Sequence, residues 1–529
     1  MNRHPMRHGL PLLLLTLALL LPACRDAGVE HVEVNFNESQ RDAQRPDEPR
    51  TGGTLTIAIQ ADGSTLDPHQ AHDAGSRRLV ENMYSTLMRM SPDYPEIEPD
   101  LLTDYEQLDD GRTYRLHLRD NAYFGVTGRN VTADDVAYSL NRLIELETGT
   151  VLVDLQAMNV IDAYTLELQF EQPNAALLNY LALPTYAIVD REIVEANDGD
   201  LSRADAGSGP FRLVEWQRDH QLVLDADPNY YVEGLPRLER IVYRPVPEEP
   251  SRVIALANRE LDIVLDVPTQ QLARIIDEER IVIESTPGTF WEYVGLNTEH
   301  GPFADARVRQ AIAHAIDRDA INRAARYGYA TPLTGGHLPP DHWASLDEAL
   351  YEQPDLERAR ALLAQTDYAD GFDAEMIVNT DNQPQLRAAE VVANMLRPLN
   401  INVTVRSIER ATFFSRLNDR DFEMTVVGWV GLFDPDEWTY PIFHSEGQYN
   451  QQSYANGGVD ELLERGRRTI DREERARIYR DVQRVLASEA PVIFLHLNDQ
   501  ITGYLSDVWD FDVHPTATTI SLREAWVDR

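Results

Sequence analysis

The stretch EMTVVGWVGLFDPDEW, residues 423–438, joins the pattern of a strand to the start of a helix. Its first half is rich in β-branched and apolar residues, which favours a buried strand. Asp434 is suited to cap the following helix, because Pro435 fits the first helical position and Glu437 stands three residues past the cap. Trp429 falls where the strand gives way to the loop. Ligands of α/β proteins gather outside such strand ends, so Trp429 is a candidate wall of a binding site, with packing in the core as the alternative.

Strand and helix patterns alternate along the rest of the folded body. Apolar and polar residues alternate in TLTIAI (54–59), TYRLHL (113–118) and TLELQF (165–170), which predicts strands with one buried face. Capping residues followed by apolar residues at helical spacing predict helices that begin after Asp305 and after Asp471. No repeat with a period of about 20–50 residues is present. The predicted fold class is therefore α/β, and 529 residues suffice for two or more domains.

The charge of the chain limits its partners and its chemistry. With 88 acidic and 48 basic residues the formal net charge is -40, which repels nucleic acids and anionic lipids and favours cationic or neutral ligands. Adaptation to a salty exterior explains the same charge. All the basic residues are arginine, so a lysine-containing phosphate loop, Schiff-base chemistry and a serine–lysine dyad are excluded. The GxSxG and HExxH motifs are absent too. We expect no catalytic residue, no cofactor and no enzyme activity.

The N-terminus has the pattern of an exported lipoprotein. A basic start is followed by LPLLLLTLALLL (10–21), which is apolar but shorter than the roughly 20 residues that span a bilayer, as is typical of a signal peptide. The sequence Leu-Pro-Ala-Cys that follows resembles the bacterial lipobox, at which the cysteine is acylated. Residues 1–23 are thus predicted to be a signal peptide, Cys24 the lipidation site and residues 24–52 a flexible tether. Because Cys24 is the only cysteine, an intramolecular disulfide is excluded.

Two histidine-containing stretches deserve comparison with metal sites. DPHQAHD (67–73) holds one acid at each end of a histidine pair, and His337 and His342 flank the sequence LPPD. The spacings match no standard zinc helix, and a capped turn and a rigid proline loop explain them more simply. No metal site is therefore predicted.

A series of motifs occurs in a fixed order along the chain. They are STLDPH (64–69), LDDGRTYRLHLRD (108–120), VTADDVAYSL (131–140), GSGPFRLVEW (207–216), DPNYY (227–231), RELDIV (259–264), ARVRQAIAHAIDR (306–318) and the Gly-Trp followed by Asp-Pro within 428–435. In this combination the chain resembles the bacterial extracellular solute-binding proteins of family 5, the oligopeptide and dipeptide receptors of ABC importers. The resemblance runs from Gly53 to about Ala525, and its motifs are more specific for the family than for a ligand.

The resemblance implies a two-lobed periplasmic-binding-protein-like fold, the large class II form, in which a solute is enclosed between lobes joined by a two-strand hinge. The expected divisions are lobe I over residues 53–292, with an accessory subdomain over 86–200, lobe II over 293–490, a return to lobe I over 491–529, and hinge crossovers near Trp291–Asn297 and Pro491–Asn498.

The implied function is that of an extracytoplasmic receptor that binds a di- or oligopeptide in the cleft and delivers it to an ABC permease with its ATPase subunits. We expect a monomer, held by its lipid on the periplasmic or extracellular face of the membrane. One alternative is the same role for a non-peptide solute: an oligosaccharide, an opine-like compound, haem or a metal chelate. The other is an exported hydrolase, which the absence of nucleophile and metal motifs disfavours.

The resemblance also implies which residues meet the ligand. In the peptide receptors the tryptophan matched by Trp429 is followed three residues later by an aspartate that pairs with the peptide's α-ammonium, but here that position is Leu432. A buried ammonium without a carboxylate is costly, so either Asp434 or Asp436 is the expected anchor, or the ligand lacks a free amine. The other expected ligand-binding residues are Thr65, Leu66, Asp67, Tyr84 and Phe290.

Overall fold

Strands and helices alternate along residues 45–529, the part of the chain that the computed structural model describes. The predicted signal peptide (1–23), Cys24 and the first part of the tether lie outside the described residues. The strands are β1 (Thr54–Ile59), β2 (Met88–Met90), β3 (Ile97–Pro99), β4 (Leu102–Leu108), β5 (Thr113–Leu118), β6 (Leu155–Asp162), β7 (Thr165–Phe170), β8 (Phe211–Gln217), β9 (Gln221–Ala226), β10 (Arg240–Pro245), β11 (Ile263–Val264), β12 (Ile281–Leu296), β13 (Ala330–Pro332), β14 (Phe372–Asn379), β15 (Ile401–Ile408), β16 (Met424–Val430), β17 (Val492–Leu505), β18 (Val508–Trp509) and β19 (Trp526–Val527).

The helices fall mainly between these strands. They are α1 (Ala74–Val80), α2 (Ala133–Glu145), α3 (Leu177–Tyr180), α4 (Arg191–Ala196), α5 (Glu249–Ala257), α6 (Ala306–Ala315), α7 (Arg318–Ile321), α8 (Leu356–Leu363), α9 (Gln383–Leu396), α10 (Arg410–Asn418), α11 (Pro435–Phe443), α12 (Gly457–Arg468) and α13 (Arg472–Glu489). The three predicted strands match β1, β5 and β7, and Asp305 and Asp471 cap α6 and α13 as predicted. Within residues 45–529 no helix is both long and apolar enough to cross a membrane.

A large sheet runs through both halves of the described chain. Its order is β15-β14-β16-β12-β17-β11-β1-β10-β9-β8, and β13 pairs with β17 at the side. The long strands β12 and β17 are antiparallel neighbours that belong to both halves. Their segments Ile281–Pro287 and Asp499–Leu505 pair in the half with β11 and β1, whereas Trp291–Gly295 and Val492–Leu497 pair in the half with β16 and β14.

The register between β12 and β17 breaks where the chain passes from one half to the other. No pairing joins the strands between Pro287 and Trp291, so Gly288, Thr289 and Phe290 leave the regular ladder beside Asn498. A side chain at Gly288 would place its Cβ 2.5 Å from the Asn498 carbonyl oxygen, so only glycine fits this close approach. The predicted crossover segments lie in these two strands, and the break in register lies just before the first of them.

Separate apolar cores lie in the two halves. In lobe I, β1, β9, β10 and β11 pack with parts of β12 and β17, and C-terminal residues from Val508 to Val527 join the same core. In lobe II, α6 and α9 cover one face of β14 and β16, while α11, α12 and α13 cover the other. The strands β14, β15 and β16 are parallel, which suits a sheet layer that is buried on both faces.

The accessory part of lobe I has its own antiparallel sheet. Its order is β4-β5-β7-β6, and α2 packs on it through Val136, Leu140 and Leu143. A capping box of Thr132 and Asp135 begins α2, and the Thr132 backbone N–H and hydroxyl both donate to the Asp135 carboxylate at 2.9 Å. The core of this sheet also includes Tyr231, beyond the span 86–200 given by the sequence.

Candidate ligand-binding cleft

A cavity of ≈ 440 Å³ lies beside the break in the hinge strands. Gly288–Phe290 and Asn498–Ile501 line its hinge side. Gln60, at the end of β1, lines it from lobe I, while Tyr329 and Val430 line it from lobe II. Ligand pockets commonly enclose about 300–1,000 Å³, so the cavity is large enough for a small solute or a short peptide.

Direct contacts join the accessory subdomain to lobe II. Asn179 donates a hydrogen bond of 2.7 Å to Asp434, and Arg472 forms an ion pair of 2.5 Å with Glu96. The Tyr94 ring lies 6.2 Å from the ring of Phe433, which belongs to the loop after β16. The structure therefore has the two lobes in contact across the cleft, as in a closed form.

The loop between β16 and α11 is tied together by Glu437. The Glu437 Oε2 atom accepts a hydrogen bond of 3.0 Å from the Leu432 backbone N–H. Trp429 donates from its indole Nε1 to the Glu437 carbonyl oxygen at 3.0 Å, and its ring packs 4.9 Å from that of Tyr449. Trp429 is thus half-buried and fixed at the end of β16, and its ring contributes in part to the lobe II core.

Asp434 and Asp436 do not offer free carboxylates. Asp434 is fully buried and receives hydrogen bonds of 2.6 and 2.7 Å from Arg475, and Asp436 receives bonds of 2.8 and 2.9 Å from Arg467. Burial alone raises the pKa of Asp434, but the Arg475 charge outweighs it and lowers the pKa overall. Asp434 also caps α11 by accepting from the Asp436 backbone N–H, as predicted. The expectation that either acid anchors an ammonium is corrected, because a buried acid needs its cation and each already has one.

Glu437 is the acid of this loop that sequence reasoning missed. Its Oε1 atom is buried and has no hydrogen-bond partner. Burial raises the pKa of Glu437 to about 8, and the negative charge of Asp434 adds to this effect. The carboxylate faces the accessory subdomain, where its charge, after burial itself, raises the pKa of the Tyr94 and Tyr180 phenols. The sequence pattern predicts Glu437 to be the capping partner of Asp434, whereas in the structure its side chain turns back to Leu432.

The remaining predicted residues divide between the cleft and the lobe I interior. Phe290 lines the cavity and is 36% exposed. Thr65 is partly exposed and accepts a hydrogen bond from the Asp67 N–H. Leu66, Asp67 and Tyr84 are buried, so the expectation that they form the cleft wall is corrected. Asp67 serves instead as the partner of Arg142, at 2.5 and 2.9 Å, and the Tyr84 hydroxyl donates to the Leu66 carbonyl at 3.2 Å.

A buried ion network lies at the hinge. Glu292 accepts one hydrogen bond of 3.0 Å from the Gln385 amide and pairs with Arg326 at 2.6 Å and with His496 at 2.9 Å. Burial opposes the ionisation of Glu292, but Arg326 and His496 outweigh it and lower its pKa to about 2. Arg326 lines the cavity, and its charge is therefore already balanced.

Asp499 is the hinge acid whose charge is not balanced in this way. Its Oδ1 atom is buried without a hydrogen-bond partner, and so is the Oδ1 atom of the neighbouring Asn498. Burial raises the pKa of Asp499 to about 7, and a hydrogen bond from Ser285 opposes the rise. Both residues line the cavity. No motif in the sequence distinguishes Asp499 among the 88 acidic residues.

The histidine stretches have structural partners. His69 Nε2 lies 2.9 Å from the Ala187 carbonyl oxygen, and its ring also meets Arg142. His337 and His342 lie 3.1 and 2.9 Å from the carbonyl oxygens of Trp438 and Phe433. In residues 45–529 no group of three or more histidine, cysteine, aspartate or glutamate side chains is arranged to hold a metal ion.

Residues 96–450 match the family described as bacterial extracellular solute-binding proteins, family 5 Middle. The chain belongs to this family. Proteins of the family are periplasmic or extracellular receptors that bind a solute for ABC import. The identification made from the motifs is confirmed.

Similar proteins span almost the whole chain. The glutathione-binding protein GsiB of Salmonella paratyphi A is 26% identical over 478 residues, which cover 87% of this chain and 92% of GsiB. The structure of AgaA from A. tumefaciens R10 in complex with agropinic acid has a TM-score of 0.78 and 27% identity, and covers 90% of this chain and 99% of AgaA. The structure of DppA from Helicobacter pylori in complex with the peptide STSA has a TM-score of 0.78 at 24% identity, covering 91% and 99% of the two chains. The predicted two-lobed α/β fold is therefore confirmed.

Proposed function

We propose that the protein is a lipid-anchored receptor that binds a short peptide between its lobes and delivers it unchanged to an ABC permease. The observation that carries the peptide assignment is the position of the Glu437 carboxylate, 3.0 Å from the backbone nitrogen of Leu432. Position 432 is where the peptide receptors that the chain resembles have their ammonium-binding aspartate. Glu437 thus supplies a carboxylate from another place in the loop.

The surroundings of Glu437 suit a ligand ammonium. Among the described residues no arginine or histidine contributes to lowering the pKa of Glu437, and its Oε1 atom has no donor. An ammonium placed there forms a charge-assisted hydrogen bond and restores the ionised form of the acid. Trp429 donates to the Glu437 carbonyl oxygen, and Tyr94 and Tyr180 of the accessory subdomain lie near enough for the Glu437 charge, after burial, to raise the pKa of their phenols, so aromatic residues of both lobes stand near Glu437. The similarity to GsiB, a glutathione-binding protein, supports a short peptide with a free amine.

A ligand held in this way also favours closure of the lobes. It contacts Glu437 and Trp429 on lobe II and the accessory subdomain on lobe I at the same time. Shifting a mostly open population to a mostly closed one takes on the order of 5 kcal/mol of differential binding. Main-chain hydrogen bonds to an extended peptide, together with the buried ion pair, supply a difference of this kind.

Calorimetric titration tests the peptide assignment. Ligand-free protein is titrated with Ala-Ala-Ala, glutathione and N-acetyl-Ala-Ala-Ala, and the same set is applied to Glu437→Gln. We expect a free-amine peptide to bind at least tenfold more tightly than its acetylated form, and Glu437→Gln to remove this difference. Glu461→Gln, an exposed acid of α12, is the matched control and keeps it. If no peptide binds, or if the acetylated peptide binds equally well, the assignment is wrong.

The second candidate is a non-peptide solute in the same cleft. It is favoured by the similarity to AgaA, whose structure is a complex with agropinic acid. Titration with agropinic acid in the same experiment separates the two candidates. Binding of agropinic acid without binding of any tripeptide would favour this second function.

The lipid anchor, the monomeric state and the lack of enzyme activity are parts of the same proposal. Cys24 lies outside the described residues, and the anchor rests on the sequence Leu-Pro-Ala-Cys after an apolar run. We expect Cys24→Ser to move the protein from the membrane fraction to the soluble extracytoplasmic fraction. Mass spectrometry of the ligand recovered from purified monomer tests the last point, because a receptor returns its solute unchanged and a hydrolase does not.

A further inference from the structure

Asp499 marks a part of the cavity where the protein provides acceptors without donors. It lies on β17 opposite Pro287, next to the break in register. Its Oδ1 atom and the Oδ1 atom of Asn498 are both buried without a hydrogen-bond partner, and both residues line the cavity. Buried acceptors are normally satisfied, so two neighbouring orphans indicate a group that the protein itself does not contain.

The other charged groups of the cavity have partners. Arg326 pairs with Glu292 at 2.6 Å, and Asp266 pairs with Arg78 at 2.6 Å. Glu249, at the start of α5, accepts a hydrogen bond of 2.5 Å from the amide of Gln270. Asp499 accepts a hydrogen bond only from the Ser285 hydroxyl, and its Oδ1 atom has no donor. The local excess at the hinge is therefore negative.

Orphaned carboxylate oxygens are rare in the described chain. In residues 45–529 the buried carboxylate oxygens without a hydrogen-bond partner belong to Glu437, Asp499 and Asp507. Asp507 is paired through its other oxygen, at 2.8 Å from Arg259. The two that have no cation both lie where the lobes meet. This placement points to positive charge on the ligand at two positions.

We propose that Asp499 recognises a second cationic group of the ligand, the ammonium or guanidinium of a basic side chain, and that the receptor prefers peptides with a lysine or arginine residue. This inference rests on the proposed function. Tyr329 lines the same cavity, and the pKa of its phenol is raised by burial and by the charge of Asp499. An aromatic ring therefore stands near the carboxylate. A carboxylate beside an aromatic ring suits both cations.

The end of β16 and Asp499 lie close enough together to be reached by a single short ligand. β12 lies between β16 and β17 in the sheet, with Val430 opposite Phe290 on one side and Asp499 opposite Pro287 on the other. Two strand spacings separate Val430 from Asp499, on the order of 10 Å across the sheet. An extended peptide advances by about 3.4 Å per residue, so a peptide anchored near Leu432 brings a long basic side chain within reach of Asp499.

Peptide selectivity of the full mature protein tests the inference. Ligand-free protein is titrated with Ala-Ala-Ala variants that carry lysine, arginine, glutamate or norleucine at each position in turn. Norleucine matches the aliphatic length of lysine without its charge. We expect lysine or arginine to improve affinity at least tenfold over norleucine in at least one position. Asp499→Asn should remove this preference and leave the norleucine affinity unchanged, whereas Asp277→Asn, the same change at an exposed site of lobe I, should keep it.

The possible results separate this inference from the function on which it rests. If tripeptides bind but lysine and norleucine bind equally at all positions, the preference for basic peptides is wrong and the peptide receptor stands. If the preference survives in Asp499→Asn, another residue carries it and the role of Asp499 is wrong. If no tripeptide binds, both proposals fail. The comparison on the wild-type protein needs no variant, so it decides even where Asp499→Asn folds poorly.

Discussion

Replacing Asp434 by asparagine separates a structural acid from a ligand-binding one. Asp434 is fully buried, and the side chain of its partner Arg475 is 4% exposed. Asparagine keeps the cap of α11, because it is as good an N-cap as aspartate, so the variant removes the charge and the one oxygen that accepts from Asn179 and Arg475. It leaves the Arg475 guanidinium buried without the carboxylate to which it is hydrogen-bonded. Breaking a buried ion pair in this way costs about 3–5 kcal/mol.

The expected result of Asp434→Asn is a loss of stability without a change in ligand selectivity. Urea unfolding followed by tryptophan fluorescence should give a free energy of unfolding lower by about 3–5 kcal/mol. Asp436→Asn should cost less, roughly 1 kcal/mol, because its partner Arg467 has a side chain that is 42% exposed. The ratio of affinities for free and acetylated tripeptide should remain that of the wild type in both variants.

A double variant provides the control for the magnitude. Asp434→Leu with Arg475→Met replaces the whole pair by apolar side chains, and the loss should shrink well below that of the single change, because no isolated charge remains. The reasoning is refuted if Asp434→Asn unfolds at the wild-type urea concentration. It is equally refuted if the variant is stable but binds free-amine and acetylated peptides alike, because Asp434 would then be the ligand anchor.

Three further perturbations follow from the cleft geometry. Trp429→Ala should weaken peptide binding at least tenfold while most of the stability is retained, since the ring is only half-buried; equal losses of melting temperature and affinity would make it a core residue. Gly288→Ala should destabilise the closed form by about 1–3 kcal/mol, because the new Cβ would lie 2.5 Å from the Asn498 carbonyl; unchanged closure in X-ray scattering with peptide would contradict this. Ligand-free protein should lose stability as pH rises from about 4.5 to 8, because burial raises the folded-state pKa of Glu437 to about 8, whereas the acid of the unfolded chain ionises at lower pH. In urea unfolding measured at several pH values, Glu437→Gln should make the free energy of unfolding depend less on pH.

Local patterns were enough to predict elements but not the partners of side chains. The strand over 54–59 and the cap at Asp305 depend on neighbouring residues, so periodicity and capping chemistry predict them directly. The partner of Asp434 stands 41 residues along the chain, on another helix. No local pattern indicates that contact, and Asp434 therefore looked available for a ligand.

The expected wall residues Leu66 and Asp67 are buried in lobe I and do not form the cleft wall. Leu66 and Asp67 follow a strand that points towards the cleft, which made them candidates for its wall. In the structure the turn is drawn into lobe I, because Asp67 meets Arg142 of α2, 75 residues away. The sequence pattern around an arginine in a helix does not indicate which distant residue it pairs with. By contrast, Phe290, an expected wall residue that directly precedes the predicted crossover at Trp291–Asn297, lines the cavity.

The contrast between paired and unpaired acids connects the fold to the proposed ligand. Asp67, Glu292 and Asp434 are buried within or between the lobes, and each has an arginine at 2.5–2.6 Å. Glu437 and Asp499 are held in similarly dry surroundings without a cation. Such groups destabilise the empty protein, because a charge removed from water without a partner is costly. A cationic ligand removes this free-energy cost only when it lies between the lobes. The two acids that destabilise the empty protein therefore favour closure of the lobes around the ligand.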